Sequence, residues 1–347
     1  MAGVDVSAKT RRLMNVAVLG VTGLVGRTLL QIFEERGFPI GELRPLASER
    51  SEGKTVTFRS QQLIVHAVRP ESFAGIDLAF IAVDDDVSRE WVPIAAKAGA
   101  VVIDKSNAWR MQADVPLVVP EVNVEDLAQH HGVIAAPNCS TIQMVVALAP
   151  IHRVNPITRV IVDSYQSVSG TGGPAVDELW EETRAVAAGG EMAPRVYPYP
   201  IAMNLFPQIG SFSPNGYCSE EIKLIDETRK IMHEPDLPIS ATTVRVPVEI
   251  SHSEAIHIEL ARPMSAGEVR SLLADEPGIA IIDEPSEAHY PMPLFATGKD
   301  EVFVGRIRND LSHPHGIAMW VVSDNLRKGA ALNAIQVAEQ LLARDLI

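Results

Sequence analysis

Cysteine is scarce in this sequence. Only Cys139 and Cys218 occur in 347 residues, and no Cys-x-x-Cys pair is present. That excludes a disulfide framework and a thiolate zinc site, and it fits a reducing compartment. The histidines give no third ligand at zinc spacing either, the pair His130-His131 and the His313-Pro-His315 loop included, so no metal is expected. Apolar runs long enough to span a bilayer are missing. Residues 1–13 carry no signal-peptide core and read as a disordered extension, with Met14 an alternative start; a cytoplasmic location is expected. Positive charge is in deficit, with a formal net charge of -14. This argues against nucleic acid or an anionic membrane as partner, although local arginines can still hold a small anion. No internal repeat or low-complexity segment appears. What remains is a chain 46% hydrophobic and 21% charged, enough for two domains with real cores.

The stretch that organises the chain is Ala136-Pro137-Asn138-Cys139-Ser140-Thr141-Ile142. It places a cysteine directly before the apolar, helix-like run Ile142 to Leu148. Free N–H groups and the positive dipole end at a helix start favour a thiolate over a thiol. Such a thiolate is a nucleophile with oxyanion donors beside it. A buried structural cysteine would account poorly for the polar Asn-Cys-Ser-Thr cluster. Cys218 has neither a helix start nor a cation beside it and reads as structural.

In the amino-terminal third, Asn15 to Leu19 reads as a buried parallel strand, and Arg27 to Arg36 has helical spacing. Between them lie Gly20, Thr22, Gly23, Leu24, Val25 and Gly26. Strand, glycine loop and helix form the context of a dinucleotide site, with the pyrophosphate on the helix N-terminus. After the second strand, the usual ribose-binding acid is replaced by Ser48, Glu49, Arg50 and Ser51. An arginine among serines suits a 2′-phosphate and predicts NADP, although Glu49 could bond a free 2′-hydroxyl. Further parallel strands are expected at Leu63–Val68, Leu78–Val83 and Val101–Ile103, with a helix over Trp91–Ala98. The alternation predicts a doubly wound α/β domain. Lys105 and Arg110 follow a strand and could meet an anionic substrate.

Beyond the cysteine, Val160 to Val168 alternates as a strand and carries Gln166, which could fix a substrate carbonyl. It ends in a turn containing Ser169 and Gly170. Helices are expected over Glu178–Ala188 and from Ser219, the candidate N-cap, to Met232. Glu220 and Lys223 share a face of the second. Thr242 to Ile250 alternates, with Val244, Val246, Val248 and Ile250 on one face and Arg245 on the other. His252 stands at a strand break and is a candidate acid or base. Asn325 opens the last helix and could bond a nicotinamide amide.

Several of these motifs, in this order, resemble the aspartate-β-semialdehyde dehydrogenase family of the bacterial type. They are Gly-Val-Thr-Gly-Leu-Val-Gly (20–26), Pro-Asn-Cys-Ser-Thr-Ile-Gln (137–143), Ser-Tyr-Gln-Ser-Val-Ser-Gly (164–170), Glu-Glu-Ile-Lys (220–223), Arg-Val-Pro-Val-Glu-Ile-Ser-His-Ser (245–253) and Asp-Asn-Leu-Arg-Lys-Gly-Ala-Ala (324–331). The resemblance implies a Rossmann-like doubly wound NADP-binding domain, residues 14–137 and 324–347. An α+β catalytic and dimerisation domain, residues 138–323, would be inserted in it. It implies NADPH-dependent reduction of L-aspartyl-4-phosphate to L-aspartate 4-semialdehyde and phosphate, in lysine, threonine, methionine and diaminopimelate biosynthesis. Cys139 would be the nucleophile, His252 the acid/base and Gln166 the residue orienting the acyl group. Arg245 would hold the substrate carboxylate and Glu220 the amine, while Arg110, Lys223 and Asn138 take the phosphate. A homodimer or homotetramer is implied. The rival readings are an N-acetyl-glutamyl-phosphate reductase and a silent nucleotide-binding paralogue.

Overall fold

A computed structural model describes residues 12–347. The extension expected over residues 1–13 lies outside the described residues except for Arg12 and Leu13, and Arg12 donates to Asp77 at 2.6 Å. The chain runs through β1 (Met14–Leu19), α1 (Leu24–Glu35), β2 (Ile40–Ala47), β3 (Thr55–Phe58), β4 (Gln61–Ile64) and β5 (His66–Ala67). It continues through β6 (Leu78–Ile81), α2 (Asp85–Lys97), β7 (Val101–Asp104), α3 (Pro120–Asn123) and β8 (Val133–Ala135). All but β3 and β4 join one parallel sheet in the order β5-β2-β1-β6-β7-β8. The order reverses between β1 and β6, and a crevice for ligands opens outside the carboxyl ends of strands at such a point.

β1 is apolar on both faces because helices cover both. Val16 and Val18 share a core with Leu29 and Phe33 of α1. Ala17 and Leu19 pack with Val92 and Ala95 of α2. The run Leu63–Val68, expected as one parallel strand, is broken. Gln61–Ile64 pairs back on Thr55–Phe58, and only His66–Ala67 joins β2. The cause is the turn between β3 and β4, where Arg59 and Ser60 take φ of 48° and 61°, the twist a two-residue hairpin needs.

α4 (Cys139–Val154) leaves this sheet, and β9 (Ile157–Gln166), α5 (Gly173–Ala187), α6 (Ser219–Ile231), β10 (Ile239–Arg245) and β11 (His252–Leu260) follow. Next come α7 (Ala266–Ala274), β12 (Ile279–Ile281), α8 (Pro293–Ala296), β13 (Val302–Asn309), β14 (Gly316–Ser323), a π-helical turn at Arg327–Ala331, and α9 (Leu332–Ala343). The second sheet is mixed, in the order β10-β9-β11-β14-β13-β12. α4 is buried continuously from Ser140 to Ile151, as a helix lying between two sheets must be. Met144, Val145 and Leu148 pack in one core with Val160, Val162 and Ile256 of the second sheet and with Leu117 and Ala135 beside the first. α9 returns to the first sheet, where Ile335, Val337 and Leu341 join Val16 and Val18. Among the described residues no helix is long and apolar enough to cross a membrane.

Three expectations for the second half are corrected. The strand over Thr242–Ile250 stops at Arg245. Its buried face carries Ala241, Thr243 and Arg245, while Val244 is half-buried, so the polar alternates point inward. The helix after Cys218 is capped by that cysteine rather than by Ser219, and Glu221 Oε2 accepts the Cys218 N–H at 2.7 Å. Cys218 therefore does precede a helix start. It is fully buried, with Sγ 3.1 Å from Thr243 Oγ1.

Candidate active site

A cavity of about 590 Å³ lies where the amino end of α4 meets the edges of both sheets. Asn138 is the N-cap of α4, and its Oδ1 accepts the Ser140 N–H at 2.9 Å. This cap makes Cys139 the first helical residue, half-buried on the cavity floor. Two carboxylates from α6 clamp the cap. Asn138 Nδ2 donates to Glu220 Oε1 at 2.8 Å, and the Asn138 N–H donates to Glu227 Oε2 at 2.7 Å.

The second sheet builds the opposite wall in rows. Arg245 pairs with Gln166, and His252 pairs with Ser323. His252 stands one step beyond the Ser253–Tyr165 pair and so comes beside Gln166. Arg245, Gln166, His252 and Ser323 thus form one buried row. Two residues further along the strands the row is Thr243, Ser164, Glu254 and Val321, and the next is Ala241, Val162, Ile256 and Met319. The face turns from charged through polar to apolar within three rows, which carries the catalytic edge straight into the core. Register, which fixes which side chains share a face, explains how residues so far apart in sequence converge.

His252 is 0% exposed, and burial first, then Arg245 and Lys105, lower its pKa to about 3 against the pull of Glu220. It is neutral near pH 7. Its Nδ1 accepts the Ser167 N–H at 3.1 Å, which assigns the hydrogen to Nε2. Among the described residues Nε2 has no hydrogen-bond partner, and it faces Gly170, where an added Cβ would lie 3.4 Å away. Gly170 in turn lines the cavity.

Burial, and after it the Glu220 carboxylate, push the Cys139 thiol above its usual pKa, against Lys105, Arg110 and Arg245. The resting group is a thiol. The helix start alone favours a thiolate, whereas burial and a neighbouring anion here outweigh the three cations. Glu220 itself remains a carboxylate. Burial raises its pKa, but Lys223, the Asn138 amide and Arg245 together hold it below its usual value. Glu220 Oε2 accepts from Lys223 Nζ at 3.2 Å, so the expected pair is formed at the cavity.

Arg110 is 5% exposed and braced on three sides. Its Nε donates to Ala136 O, Nη2 to Lys105 O and Nη1 to Glu227 Oε1, at 3.0, 2.8 and 2.9 Å. Two of the five guanidinium hydrogens remain, and Arg110 lines the cavity beside Lys105. Sequence reasoning missed Glu227. Its only signal is the spacing Glu220, Lys223, Glu227, Lys230 along one face of α6.

The glycine loop lies at the reversal point of the first sheet. Gly20 takes φ +90°, and a Cβ there would fall 2.2 Å from Ala82 O at the end of β6. At Gly26 a Cβ would fall 2.3 Å from Gly20 O, whereas Gly23 meets nothing closer than 3.4 Å. Gly23 is the N-cap of α1 and makes no side-chain cap bond. The first-turn N–H groups, with Thr22, Leu24 and Val25 around them, fit a dinucleotide pyrophosphate. Ser48 and Arg50 are exposed directly after β2, and Ser51 is nearly buried. An arginine presented there fits a 2′-phosphate, although Glu49 is exposed in the same turn. The cavity reaches this crevice through Val83, Asp84 and Asp85.

Asn325 joins several loops of the site. It is 3% exposed, and its Oδ1 accepts from Ser251 N at 2.8 Å and from the Ser167 and Ser169 hydroxyls at 3.2 Å. Its amide binds together the loops around His252. Four residues on, Gly329 lies against the nucleophile: a Cβ there would fall 2.9 Å from Cys139 Cβ. The π-helical turn that makes this approach is a form often found at functional sites. Arg327 and Lys328 fix the turn through Glu35, Asp300 and Glu121.

Two family models match the chain: semialdehyde dehydrogenase, NAD binding domain, over residues 15–130, and semialdehyde dehydrogenase, dimerisation domain, over residues 148–328. An aspartate-semialdehyde dehydrogenase of Aquifex aeolicus is 52% identical, over 96% of this chain and 99% of its own. The crystal structure of aspartate semialdehyde dehydrogenase II of Vibrio cholerae complexed with ASA superposes with a TM-score of 0.94 at 45% identity, over 97% of this chain and 100% of that one. An aspartate semialdehyde dehydrogenase of Candida albicans, solved with NADP, gives a TM-score of 0.75 at 27% identity, over 96% and 100% of the two chains.

Proposed function

The chain belongs to the aspartate-semialdehyde dehydrogenase family, and from that premise we infer how its residues divide the work. It is an oxidoreductase of amino-acid biosynthesis. It reduces L-aspartyl-4-phosphate to L-aspartate 4-semialdehyde, releases phosphate and uses NADP as cofactor. The observation that carries the assignment of roles is the charge layout around Cys139. Arg245 and Glu220 line the cavity, a cation and an anion for the carboxylate and ammonium of an amino acid. Arg110 and Lys223 line the same cavity, two cations for a phosphate, with Lys223 also paired to Glu220.

Cys139 Sγ attacks the acyl carbon, the bond to the phosphate oxygen breaks, and a thioester remains. Seating the substrate ammonium on Glu220 neutralises the anion that opposes thiol ionisation. The thiol proton then departs on the phosphate. NADPH, when bound, supplies hydride to the thioester carbon. His252, with its hydrogen on Nε2, donates to the acyl oxygen as negative charge develops there. Breakage of the C–S bond frees the aldehyde, and the sulfur regains a proton. Gln166, beside His252 in the same row, orients the acyl group.

Ser48, Arg50 and Ser51 hold the 2′-phosphate of NADP in this reading. Residues 14–137 and 324–347 form the nucleotide domain and 138–323 the catalytic and dimerisation domain. The matched dimerisation domain supports an oligomer. A cytoplasmic homodimer or homotetramer is our proposal, with the half-open face of the second sheet around Tyr165, Ala255 and Trp320 as a surface suited to it. The acetylglutamyl alternative is disfavoured, since an acetylated nitrogen carries no charge for Glu220.

The test is NADPH formation from aspartate semialdehyde and NADP⁺, with and without phosphate, against N-acetylglutamate semialdehyde. Phosphate-dependent turnover of the aspartate compound alone is expected. Folded protein that binds NADP⁺ and turns over neither aldehyde would overturn the assignment.

A further inference from the structure

We propose that Glu227 is a positioning residue that locks Arg110 and the start of the Cys139 helix into one geometry through the two oxygens of a single carboxylate. The inference rests on the reading of Arg110 as a phosphate-binding group.

Glu227 is 1% exposed. Its Oε1 accepts from Arg110 Nη1 at 2.9 Å, and its Oε2 accepts the Asn138 N–H at 2.7 Å. One contact is with a phosphate-side guanidinium, and the other is with the peptide group next to the nucleophile. Both partners are donors, so only a group with two acceptors serves both. A glutamine offers one oxygen and one amide nitrogen, and one of the two contacts must then set donor against donor. Addition of Sγ and loss of phosphate from the tetrahedral adduct need the phosphate cations and Sγ at a fixed spacing about the acyl carbon, which this bridge supplies.

The same helix offers a control. Lys230 Nζ donates to the carbonyls of Arg110, Gln112 and Val115 at 2.7, 2.7 and 2.8 Å. It anchors the same loop but touches neither the Arg110 guanidinium nor Asn138. If Glu227 only pinned the loop, the two residues would be equivalent.

The experiment measures KM for phosphate, KM for aspartate semialdehyde and kcat in the phosphate-dependent oxidation, for the parent, Glu227→Gln, Glu227→Asp and Lys230→Met. Folding is checked by thermal melting and NADP⁺ titration. Glu227→Gln is expected to raise the phosphate KM about tenfold or more, the scale of a lost hydrogen bond to a charged group. It should lower kcat and leave the semialdehyde KM in place. Glu227→Asp, which keeps both acceptors, should recover part of the loss. Lys230→Met should lower the melting temperature with the phosphate KM unchanged. The proposal is overturned if Glu227→Gln keeps the parent phosphate KM, or if Lys230→Met raises it equally. A parent enzyme without phosphate-dependent turnover would instead overturn the reading of the site itself.

Discussion

At the glycine loop of the first sheet, the groups offered to a ligand are backbone. At the matching end of the second sheet, they are side chains. The glycine loop works by having no atoms where atoms would collide, with Ala82 O and Gly20 O standing where Cβ atoms of residues 20 and 26 would go. The row Arg245, Gln166, His252 works by what its side chains carry and by the polar row of Thr243, Ser164 and Glu254 beneath it. The first region is broken by adding a methyl group, the second by removing a functional one. Cys139 stands between them, a side chain held at a helix start by backbone and carboxylate contacts together.

The largest expected effect separates donor from base at His252. His252→Ala should lower kcat by about 10²–10⁴-fold, the general scale of acid–base help. His252→Gln keeps an N–H donor and should retain much more. Iodoacetamide alkylation of Cys139 should be insensitive to both changes, since Nε2 carries hydrogen and cannot take the thiol proton. A parallel loss of alkylation rate in His252→Ala would make His252 the thiol's base and break the tautomer argument.

On the backbone side, Gly26→Ala is the corresponding test. The added Cβ meets Gly20 O at 2.3 Å and the Val21 backbone at 2.6 Å, rigid neighbours that must shift at a cost of about 1–3 kcal/mol. The KM for NADP⁺ should rise while the semialdehyde KM holds. Gly23→Ala should be nearly silent by comparison, and equal effects from both would show that the loop does not act through close approach.

The smallest effect concerns the second row. Burial pushes the Glu254 carboxyl well above its ordinary 4.5, against a weaker contact with Gln143. The native state therefore keeps a proton that the unfolded chain sheds. This group's contribution is complete below pH 4.5 and is lost as pH rises toward the native value. Glu254→Gln should gain in melting temperature on the parent as pH rises above 4.5, where the unfolded carboxyl ionises before the native one. A difference independent of pH would mean that Glu254 is paired and ionised.

These two regions also differed in how far the sequence disclosed them. The cradle is local: a strand, a glycine loop and a helix in succession. The cap at Asn138 and the nucleophile at Cys139 are equally local. The second-sheet row depends on pairing between distant strands, and there the period-two reading set Arg245 opposite Val244 without showing which face is buried. The apolar alternates, Val244 and Val246, are only half-buried, because a site edge buries its polar alternates. Glu227 was invisible for the same reason, with partners 117 and 89 residues away. The donors to the Asn325 oxygen come from residues 74 to 158 positions away, so that part of its role was not legible either.

The most direct test of the central claim, covalent chemistry at Cys139, is a single-turnover measurement without phosphate. Enzyme is mixed with aspartate semialdehyde and NADP⁺, and both NADPH and intact-protein mass are followed. The account predicts a burst of one NADPH per active site and an aspartyl thioester on Cys139. Added phosphate should release the adduct, and Cys139→Ala should show neither burst nor adduct. A burst that persists in Cys139→Ala, or an adduct mapped to Cys218, would contradict it.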